Sequence, residues 1–584
     1  MKETVMSKIL GWVFDRVMHT PLKRFEEAVS RPFATQEEAL RGILLANAQT
    51  EFGKTHEFLS MAGLSGTELW KVFRNIIPIQ SYIDYLPHIE RMKNGTENVL
   101  IPGKPEMFSL TSGTTSEPKF CPVNRTFIKE HHRQHLLWMY HVYADHPRVN
   151  EGKYLVMASP AEMGKTSGGI PYGAMSGKQL EVQSIPVRRR MAAPVQIQHL
   201  HDAEERWFNT LLFAMTEENI RVVTSVNPST LVALANRMDR DAEQLLECME
   251  HGLPGQSAQN EWCKAKPLSG LYKPNPTRAR KLREEWRAEG ALTPNLVWPE
   301  LEMLLTWQGG ASAFYLPHVA ALWGNTAMRC LGLRASEGTF SIPLRDGDPS
   351  GVLAVGGHVM EFIPADAGDP KPNSNTLLAG QLEKGGLYRL IITTSGGFYR
   401  YDMGDLVRVT GFSKRTPEVA FERRAGSVLS ATGEKLTEDQ VIGAMEVAAA
   451  AGPLMNGFSL TYEMEDGVAR YVVAVECTGG AGGIEGAQGK RLRERIKQLL
   501  AVFDHELMSR NCEYEGKRED GRIAFPRAVL LAEGSYEGLR GMLAAEGKPE
   551  NQIKQPILVR PPGAGRAPVA GCRFFDNMTI VAEL

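Results

Sequence analysis

Strand-like and helix-like segments alternate along most of this chain, and the alternation limits the possible folds more than any other feature. Short apolar runs typical of buried strands occur at Tyr154–Ala158, Val222–Val226 and Leu387–Thr394. Between them lie stretches with apolar residues at helical spacing, such as Glu204–Met215 and Asp241–His251. Strands that alternate with helices are typical of βαβ units. We therefore expect an α/β fold with mixed sheets.

The pattern changes after about Phe421. A capping box at Thr437–Gln440 is followed by two strand candidates, Ser459–Met464 and Tyr471–Glu476. A helix with one apolar face, Leu492–Leu507, and a last strand, Ala528–Leu531, come after them. A tail of this kind has the size of an independent α+β domain. We predict a large N-terminal domain over residues 1–424, a hinge at 425–435 and a small, mobile C-terminal domain over 436–584.

Two helices are predicted near the N-terminus. Met1–Phe25 has apolar residues at helical spacing with Lys and Arg between them, which indicates an amphipathic helix. Such a helix docks on its own domain or, as the alternative, lies on a membrane surface. Thr35-Gln36-Glu37-Glu38 has the form of a capping box and predicts that the next helix begins there.

Composition excludes several classes of protein. The 584 residues include 66 Lys plus Arg and 68 Asp plus Glu, so the net charge of −2 gives no overall attraction to nucleic acid or anionic lipid. No apolar run reaches the roughly 18 residues that span a bilayer, and we find no signal peptide. The 7 cysteines are scattered without a CxxC pair, which favours neither a zinc ribbon nor a disulfide framework. We expect a cytoplasmic protein.

Two segments compete as a phosphate-binding loop. Met163-Gly164-Lys165-Thr166 imitates the end of a Walker loop, but Ser159 stands where the first glycine is needed and Pro160 lacks an N–H. The segment Ser109–Lys119 surrounds one glycine with hydroxyl side chains and ends in a lysine. Hydroxyls and successive backbone N–H groups form an anion nest, and Lys119 adds a positive charge for phosphate oxygens. We favour this second loop.

Two further motifs make a nucleotide site more specific. Ser336-Glu337 offers a hydroxyl for phosphate and a carboxylate for Mg²⁺, which prefers oxygen ligands. In Tyr399-Arg400-Tyr401-Asp402-Met403-Gly404-Asp405, the last aspartate follows a glycine turn and can accept both ribose hydroxyls. Each motif alone has a plain structural interpretation as a cap, a turn or a surface carboxylate. The three together favour a nucleotide site.

The order of these motifs resembles that of adenylate-forming enzymes, the superfamily of acyl-CoA synthetases, luciferase and nonribosomal adenylation domains. It is more specifically similar to the Gretchen Hagen family of acyl acid amido synthetases, which conjugate auxin and jasmonate, and to their bacterial relatives. The stretches that resemble the family's motifs are Trp298-Pro299, Gly309, Tyr399–Phe412, Phe421–Arg424, Leu429-Ser430, Glu434-Lys435 and Asn551–Pro556. Together with the earlier motifs, the resemblance extends in the correct order from about Phe108 to Pro556.

The chain also departs from the family pattern. Glu117 stands near where the family's phosphate loop usually has glycine, and Leu333 aligns with a tyrosine of the plant members. Asp402-Met403 replaces an Arg-Val pair. These departures imply a distant branch, so the substrates of the plant enzymes do not transfer to this chain.

The resemblance implies a two-step ligase reaction. A carboxylate of an acyl acid attacks the α-phosphorus of ATP, which expels pyrophosphate and leaves an acyl-AMP. The small domain then moves about the hinge, and an amine, expected to be an amino acid, attacks the mixed anhydride to give an amide. In such phosphoryl chemistry, alignment and charge neutralisation lower the barrier. The implied cofactors are ATP and Mg²⁺.

The resemblance also implies a role for individual residues. The β- and γ-phosphates are assigned to Thr111, Ser112, Gly113, Thr114 and Thr115, with Lys119 beside them. Ser336 is assigned to the α-phosphate, Glu337 to Mg²⁺, Asp405 to the ribose, Gly309 to the adenine, Arg424 to ribose or phosphate, and Lys554 to the charge at the α-phosphate during adenylation.

The acyl pocket and a histidine pair are weaker predictions. The glycine-bent loop with Met163, Ile170 and Tyr172 is apolar enough to line the pocket, and the helix Thr126–Tyr143 forms its opposite wall; both are equally compatible with plain core. On that helix His131 and His135 have the i, i+4 spacing of a metal pair, but no third ligand accompanies them. We favour an ordinary helix face.

Two alternatives to an amido synthetase stay open. A thiol, such as that of CoA, or a hydroxyl could replace the amine as acceptor, which leaves the adenylate chemistry unchanged. A catalytically silent nucleotide-binding regulator is the third hypothesis. The residues specify neither the acid, nor the acceptor, nor the oligomeric state.

Overall fold

The computed structural model describes residues 2–111, 119–200, 202–252, 268, 270–426, 428–432, 434–453, 455–465, 468–477, 487–519, 521–546, 553–559, 578 and 580–583. The chain forms two compact units, Met1–Phe421 and Glu422–Leu584.

Helices and strands both occur throughout the first unit. Its helices are α1 Lys2–Ser30, α2 Pro32–Asn47, α3 Glu51–Thr55, α4 Phe58–Ala62, α5 Gly66–Ile76, α6 Tyr82–Lys93, α7 Arg125–Asp145, α8 Met175–Glu181, α9 Ile185–Arg188, α10 Ala203–Thr216, α11 Pro228–Arg240, α12 Ala242–His251, α13 Pro276–Glu289, α14 Pro294–Val297 and α15 Leu316–Trp323. Its strands are β1 Met107–Thr111, β2 Lys119–Val123, β3 Lys153–Met157, β4 Gly164–Lys165, β5 Pro171–Gly173, β6 Ile220–Ser225, β7 Met303–Thr306, β8 Ala327–Cys330, β9 Arg334–Ala335, β10 Gly338–Thr339, β11 Ser341–Ile342, β12 Gly351–Leu353, β13 Val359–Pro364, β14 Leu387–Thr393, β15 Tyr401–Ser413 and β16 Thr416–Arg424, the last of which ends in the second unit.

A four-stranded parallel sheet with the order β3-β6-β7-β8 contains two of the predicted strands, β3 and β6. Helices α10 to α13 contribute to its buried core, as do Trp298 and Trp323, whose rings stack 6.1 Å apart. Each indole N–H donates to a helix carbonyl, that of Ala214 or Leu231, at 3.1 Å. Strands of parallel sheets are buried and nearly all apolar, which explains why these runs were recognisable in the sequence.

Two further sheets position the predicted motifs. The order β2-β1-β5-β4 combines antiparallel pairs with one parallel pair, β1 with β5. A six-stranded sheet, β11-β12-β16-β15-β14-β13, includes the predicted strand at Leu387–Thr393. A short hairpin pairs β9 with β10. The expectation of an α/β fold with mixed sheets is confirmed.

The second unit has an α+β organisation. Its helices are α16 Glu438–Ala451, α17 Ala487–Arg510, α18 Cys512–Glu519 and α19 Ser535–Ala545, and its strands are β17 Val428–Leu429, β18 Leu436–Thr437, β19 Met455–Glu465, β20 Val468–Cys477, β21 Ile523–Leu531 and β22 Ile580–Glu583. The last four strands form one sheet in the order β19-β20-β21-β22. The capping box at Thr437 and Gln440 is present, as the sequence predicted.

The start of the second helix differs from its prediction. Helix α2 begins at Pro32, so Thr35 lies inside it, and its hydroxyl donates back to the carbonyl of Arg31 at 3.0 Å. Gln36 points into the core, where its side-chain amide donates to the carbonyls of Val355 and His358 at 2.5 and 2.8 Å. Thr35 and Gln36 therefore do not cap the helix: Thr35 lies inside it and Gln36 bonds to the core. The predicted helix start is wrong.

The first helix runs from Lys2 to Ser30, longer than predicted. Among the helices in the described ranges, none is both long and apolar enough to cross a membrane.

Candidate active site

The hairpin of β9 and β10 holds Ser336 and Glu337 at its turn. Arg334 pairs with Thr339 and Ala335 with Gly338, which leaves the serine and the glutamate between the two strands. Both are buried, with exposures of 8% and 6%. The Ser336 hydroxyl donates to the carbonyl of Leu110 at 2.9 Å. This hydrogen bond ties the turn to β1, the strand that leads into the predicted phosphate loop.

Glu337 lies beside the other strand of that loop. Burial raises the pKa of the Cys121 thiol, and the next cause is the negative charge of Glu337, whose carboxylate is also a hydrogen-bond partner of the thiol. Cys121 faces Ser109 across the antiparallel pair of β1 and β2. The predicted metal ligand therefore contacts β2, one of the two strands that flank the predicted phosphate loop in the sequence.

Lys119 connects the loop to the third motif. It is the first residue of β2 and pairs with Thr111. Its ammonium nitrogen lies 3.4 Å from the hydroxyl of Tyr401 and 5.2 Å from the ring centroid of Tyr82. Tyr401 is the first residue of β15, the strand that carries Asp405. The three predicted motifs therefore meet in the first unit.

A bulge in β15 displaces Asp405 from regular strand pairing. Arg389 pairs with Leu406 and Ile391 with Asp402, so the residues between the two partners on β15 bulge out. Gly404 has φ +71°, a left-handed conformation that favours glycine. Asp402 anchors the bulge because it accepts two hydrogen bonds from Arg389, at 2.9 and 2.7 Å, and one from the Gly404 N–H at 2.9 Å. This departure from the family pattern thus has a structural role.

Close packing of the backbone explains why residue 309 is a glycine. It follows β7, and a Cβ atom at this position would lie 3.0 Å from the carbonyl oxygen of Phe421. Few real Cβ contacts are that short. Its assignment to the adenine stays a prediction.

Some predicted site residues lie outside the described residues or in the second unit. Ser112, Gly113, Thr114 and Thr115 are outside the described ranges, and Thr111 is described only as the last residue of β1. Arg424 and Lys554 belong to the second unit. Their predicted roles are not tested by the geometry of the first unit.

In the second unit, the segment that carries Lys554 is hydrogen-bonded to β19. The Gln555 amide donates to the carbonyl of Phe458 at 2.6 Å, and the Ser459 hydroxyl donates to the carbonyl of Pro556 at 2.7 Å. The Lys554 side chain is exposed, whereas the preceding Ile553 is buried. The lysine is therefore presented to solvent from an anchored backbone.

The residues predicted to line an acyl pocket lie next to β1. Tyr172 on β5 pairs with Phe108, and its ring centroid lies 5.3 Å from that of Phe120. Ile170 is buried in the large core of this unit, and the Met163 N–H donates to the Tyr172 carbonyl at 2.7 Å. The loop is close to the nucleotide motifs, but Ile170 is a core residue.

β4 lies within the Walker-like segment and pairs with β5, so the helix that a Walker loop requires does not follow it.

The two histidines of α7 lie against the hairpin. His131 Nδ1 is 3.1 Å from the Thr339 hydroxyl, and burial lowers the pKa of this histidine to about 3. His135 Nδ1 lies 3.4 Å from Nη1 of Arg334. Across the described part of the chain, no group of three or more His, Cys, Asp or Glu side chains is arranged to hold a metal ion.

The sequence did not predict Arg334 as a site residue. Its guanidinium lies over the Trp138 ring, with the Cζ atom 4.7 Å from the ring centroid. The available signal was an arginine two residues before Ser336, directly after the apolar residues Leu331 and Leu333.

Comparison with known proteins identifies the family. Models of the GH3 family N-terminal, central and C-terminal domains match residues 21–328, 351–424 and 439–563. The chain belongs to the GH3 family. This GH3 protein is 27% identical over 566 residues to an indole-3-acetic acid-amido synthetase from Oryza sativa subsp. indica, with 92% of this chain and 90% of the relative covered. It is 25% identical over 567 residues to a jasmonoyl–L-amino acid synthetase from Nicotiana attenuata, with 92% and 93% covered.

A solved structure supports the same fold for this GH3 protein. The structure of "GH3.15 acyl acid amido synthetase" superposes with a TM-score of 0.81 at 20% identity, and 96% of each chain is covered. The same protein has been solved in complex with 2,4-DB, with the same TM-score and coverage. The resemblance inferred from the motifs is therefore confirmed at the level of family and fold.

Proposed function

We propose that this GH3 protein is an ATP-dependent acyl acid amido synthetase, a ligase that converts a carboxylic acid to an acyl-AMP and transfers the acyl group to an amine. The amine is expected to be an amino acid, as the name of the jasmonoyl–L-amino acid synthetase suggests. The observation that carries the proposal is the hydrogen bond from Ser336 to Leu110, which joins two nucleotide motifs in a chain of this family.

In the first half-reaction, the first unit binds and orients ATP. Thr111 to Thr115 and Lys119 hold the β- and γ-phosphates, Ser336 the α-phosphate and Asp405 the ribose hydroxyls. Gly309 lets the backbone approach the adenine. The acid's carboxylate oxygen attacks the α-phosphorus while pyrophosphate leaves, so the protein contributes alignment and charge neutralisation rather than covalent chemistry.

A magnesium ion fits the residues at the hairpin turn. Glu337 is a buried carboxylate beside Ser336 and the loop strands. Mg²⁺ takes one or two carboxylates together with substrate phosphate oxygens, so one glutamate next to a triphosphate is a sufficient protein contribution. We assign Glu337 as its ligand. When bound, the ion neutralises charge on the phosphates.

Two residues of the second unit are assigned to the nucleotide. Lys554 neutralises charge at the α-phosphate during adenylation, and Arg424 contacts ribose or phosphate. Residues 425–435 act as a hinge between a body of residues 1–424 and a small domain of 436–584. Rotation about such a hinge moves Lys554 away after adenylation, so that the amine acceptor can attack the acyl-AMP in the second half-reaction.

We also assign the enzyme to the cytoplasm. The described cysteines Cys121, Cys330, Cys477 and Cys512 are free thiols, and the first three are buried. Free thiols of this kind are typical of a reducing compartment.

Pyrophosphate release tests the proposal directly. The full chain is incubated with ATP, Mg²⁺ and a panel of carboxylic acids, and then with each amino acid, CoA or a simple alcohol. We expect acid-dependent pyrophosphate and an amide product that requires the amino acid. A thioester or ester without amide would favour the thiol or hydroxyl acceptor. ATP binding without pyrophosphate for any acid would favour a silent regulator.

A further inference from the structure

Within the described ranges, the guanidinium of Arg334 is a buried positive charge without an acidic partner. Its Nε and Nη2 atoms are shielded from solvent and make no hydrogen bond, although the side chain as a whole is half-buried. Its remaining neighbours are the Nδ1 atom of His135, 3.4 Å from Nη1, and the face of Trp138. Within the described ranges, no carboxylate forms an ion pair with this arginine. An aromatic face stabilises a cation less than a carboxylate does in such a site.

The other buried arginines of the described ranges all have acidic partners. Their shortest ion pairs are Arg221–Glu300 at 2.7 Å, Arg237–Glu204 at 2.5 Å, Arg278–Glu218 at 3.5 Å, Arg329–Asp346 at 2.5 Å and Arg400–Glu361 at 3.0 Å. Arg237 is the closest match to Arg334, since it also lies over a tryptophan, with Cζ 4.9 Å from the Trp207 ring. Arg334 differs from these five arginines in having no carboxylate partner within the described ranges, and it differs from the half-buried Arg190, which bonds to the carbonyls of Gly152 and Asn150, in its unbonded Nε and Nη2 atoms. Burying a charge is costly unless it is paired.

The surroundings of Arg334 favour an incoming anion. Burial lowers the pKa of the guanidinium to about 10, so it still carries its charge at neutral pH. Burial also lowers the pKa of His135 and of His131, and the charge of Arg334 adds to both shifts. Both imidazoles are therefore neutral and leave the arginine as the local positive charge.

The arginine is close to the reacting centre but faces another element. Ser336 stands two residues after Arg334, at the turn that follows β9, and two residues span at most about 7 Å. The Ser336 hydroxyl points to Leu110 on β1, whereas the guanidinium contacts His135 and Trp138 on α7. An acid that is adenylated beside Ser336 therefore reaches this cation only if its far end extends toward α7.

We propose that Arg334 binds a second carboxylate of the acyl acid, so that the substrate class is dicarboxylic acids. This inference rests on the proposed function. One carboxylate is adenylated beside Ser336, and the other completes the ion pair that Arg334 lacks within the described chain. Arg334 is a specificity-determining residue, and it acts on substrate binding rather than on the chemical step.

Matched pairs of acids test the inference. Pyrophosphate release is measured with butyrate and succinate, hexanoate and adipate, octanoate and suberate, and benzoate and terephthalate. We expect the wild type to prefer the dicarboxylic member of at least one pair by tenfold or more in kcat/KM. Arg334→Met reduces that ratio at least tenfold, mainly through KM, and Arg334→Lys restores part of it. The control Arg237→Met removes a buried arginine over tryptophan and leaves the ratio unchanged.

Binding provides a second readout if Arg334→Met folds poorly. We expect the preferred dicarboxylic acid to raise the melting temperature of the wild type in the presence of a non-hydrolysable ATP analogue more than its monocarboxylic partner does. Arg334→Lys should reduce that difference. A wild type that prefers the monocarboxylic acid in every pair, or an unchanged ratio in both Arg334 variants, overturns the inference while the ligase proposal stands. Absence of pyrophosphate with every acid overturns the ligase proposal itself.

Discussion

The hydroxyl of Ser336 donates a hydrogen bond to the carbonyl of Leu110 across 226 residues of sequence, at a distance of 2.9 Å. This contact places the turn of the β9–β10 hairpin against the strand that leads into the predicted phosphate loop. Both partners are buried, so the geometry of the turn is fixed by the core rather than by a ligand. A prearranged turn of this kind aligns a phosphate without reorganisation at the moment of reaction.

Replacement of this hydroxyl is expected to weaken the nucleotide site. Ser336→Ala removes the hydroxyl, which donates to Leu110 in this structure and which we assign to the α-phosphate when ATP is bound. A hydrogen bond to a charged group contributes about 1.5–3 kcal/mol, so we expect kcat/KM for ATP to fall roughly tenfold or more. Acid-dependent pyrophosphate release measures the change. Ser350→Ala, which removes a hydroxyl bonded to Asp348, is the matched control. Equal effects of the two variants would contradict the proposed role.

Glu337 is expected to control the response to magnesium. Glu337→Gln keeps the shape of the side chain but removes the charge that we assign to Mg²⁺. Adenylation at saturating ATP should fall at least a hundredfold, and the Mg²⁺ concentration for half-maximal rate should rise, because the ion loses its protein carboxylate. A titration of pyrophosphate release against Mg²⁺ measures both effects, and circular dichroism checks the fold. An unchanged magnesium requirement would refute the assignment.

Local sequence patterns predicted those helices and strands whose buried residues follow one another at regular spacing. The strands β3 and β6 are nearly continuous apolar runs in a parallel sheet, and helix α17 shows one apolar face. The start of α2 was mispredicted because Gln36 bonds to carbonyls of Val355 and His358, more than 300 residues away. Such long-range partners leave no trace in a local motif.

In the candidate site, too, residues in local motifs could be predicted, whereas residues whose role depends on long-range packing could not. Ser336, Glu337 and Asp405 were recognisable because they stand in ordered motifs, and the structure brings those motifs together. The neighbouring Tyr399 and Arg400 are buried and serve the core: the Tyr399 hydroxyl donates to the Leu100 carbonyl at 2.7 Å, and Arg400 pairs with Glu361. Arg334 was not recognised, because its lack of an acidic partner among the described residues is a property of three-dimensional packing.

Lys554 is expected to act in one half-reaction only. Lys554→Ala should slow acyl-AMP formation by about a hundredfold, because it removes a positive charge assigned to the α-phosphate. ATP affinity and the reaction of an added acyl-AMP with the amine should change much less. Stopped assays of the two half-reactions separate these effects. The control Lys497→Ala removes an exposed lysine of α17 that pairs with Glu494. Equal losses in ATP binding and in adenylation would contradict the assigned role.

Stability is expected to fall in mild acid because of His358. This histidine is fully buried between Phe127 and Phe340, and burial, assisted by the charge of Arg133, lowers its pKa to about 4. The unfolded chain binds a proton below pH of about 6.5 while the folded chain does not, so the free energy of unfolding decreases from there down to about pH 4. Between pH 6.5 and 5, this histidine contributes a loss of about 2 kcal/mol.

The nearby Glu130 acts in the opposite direction, which makes the test specific. Its carboxylate lies 3.7 Å from His358 Nδ1, and burial raises the pKa of Glu130 to about 6, so protonation on the way to pH 5 favours the folded state. Urea unfolding at pH 7 and pH 5 should show a loss of stability that His358→Gln reduces by about 2 kcal/mol and Glu130→Gln increases. His251→Gln, at an exposed helix end, is the control. If His358→Gln retains the full acid sensitivity, other groups account for it.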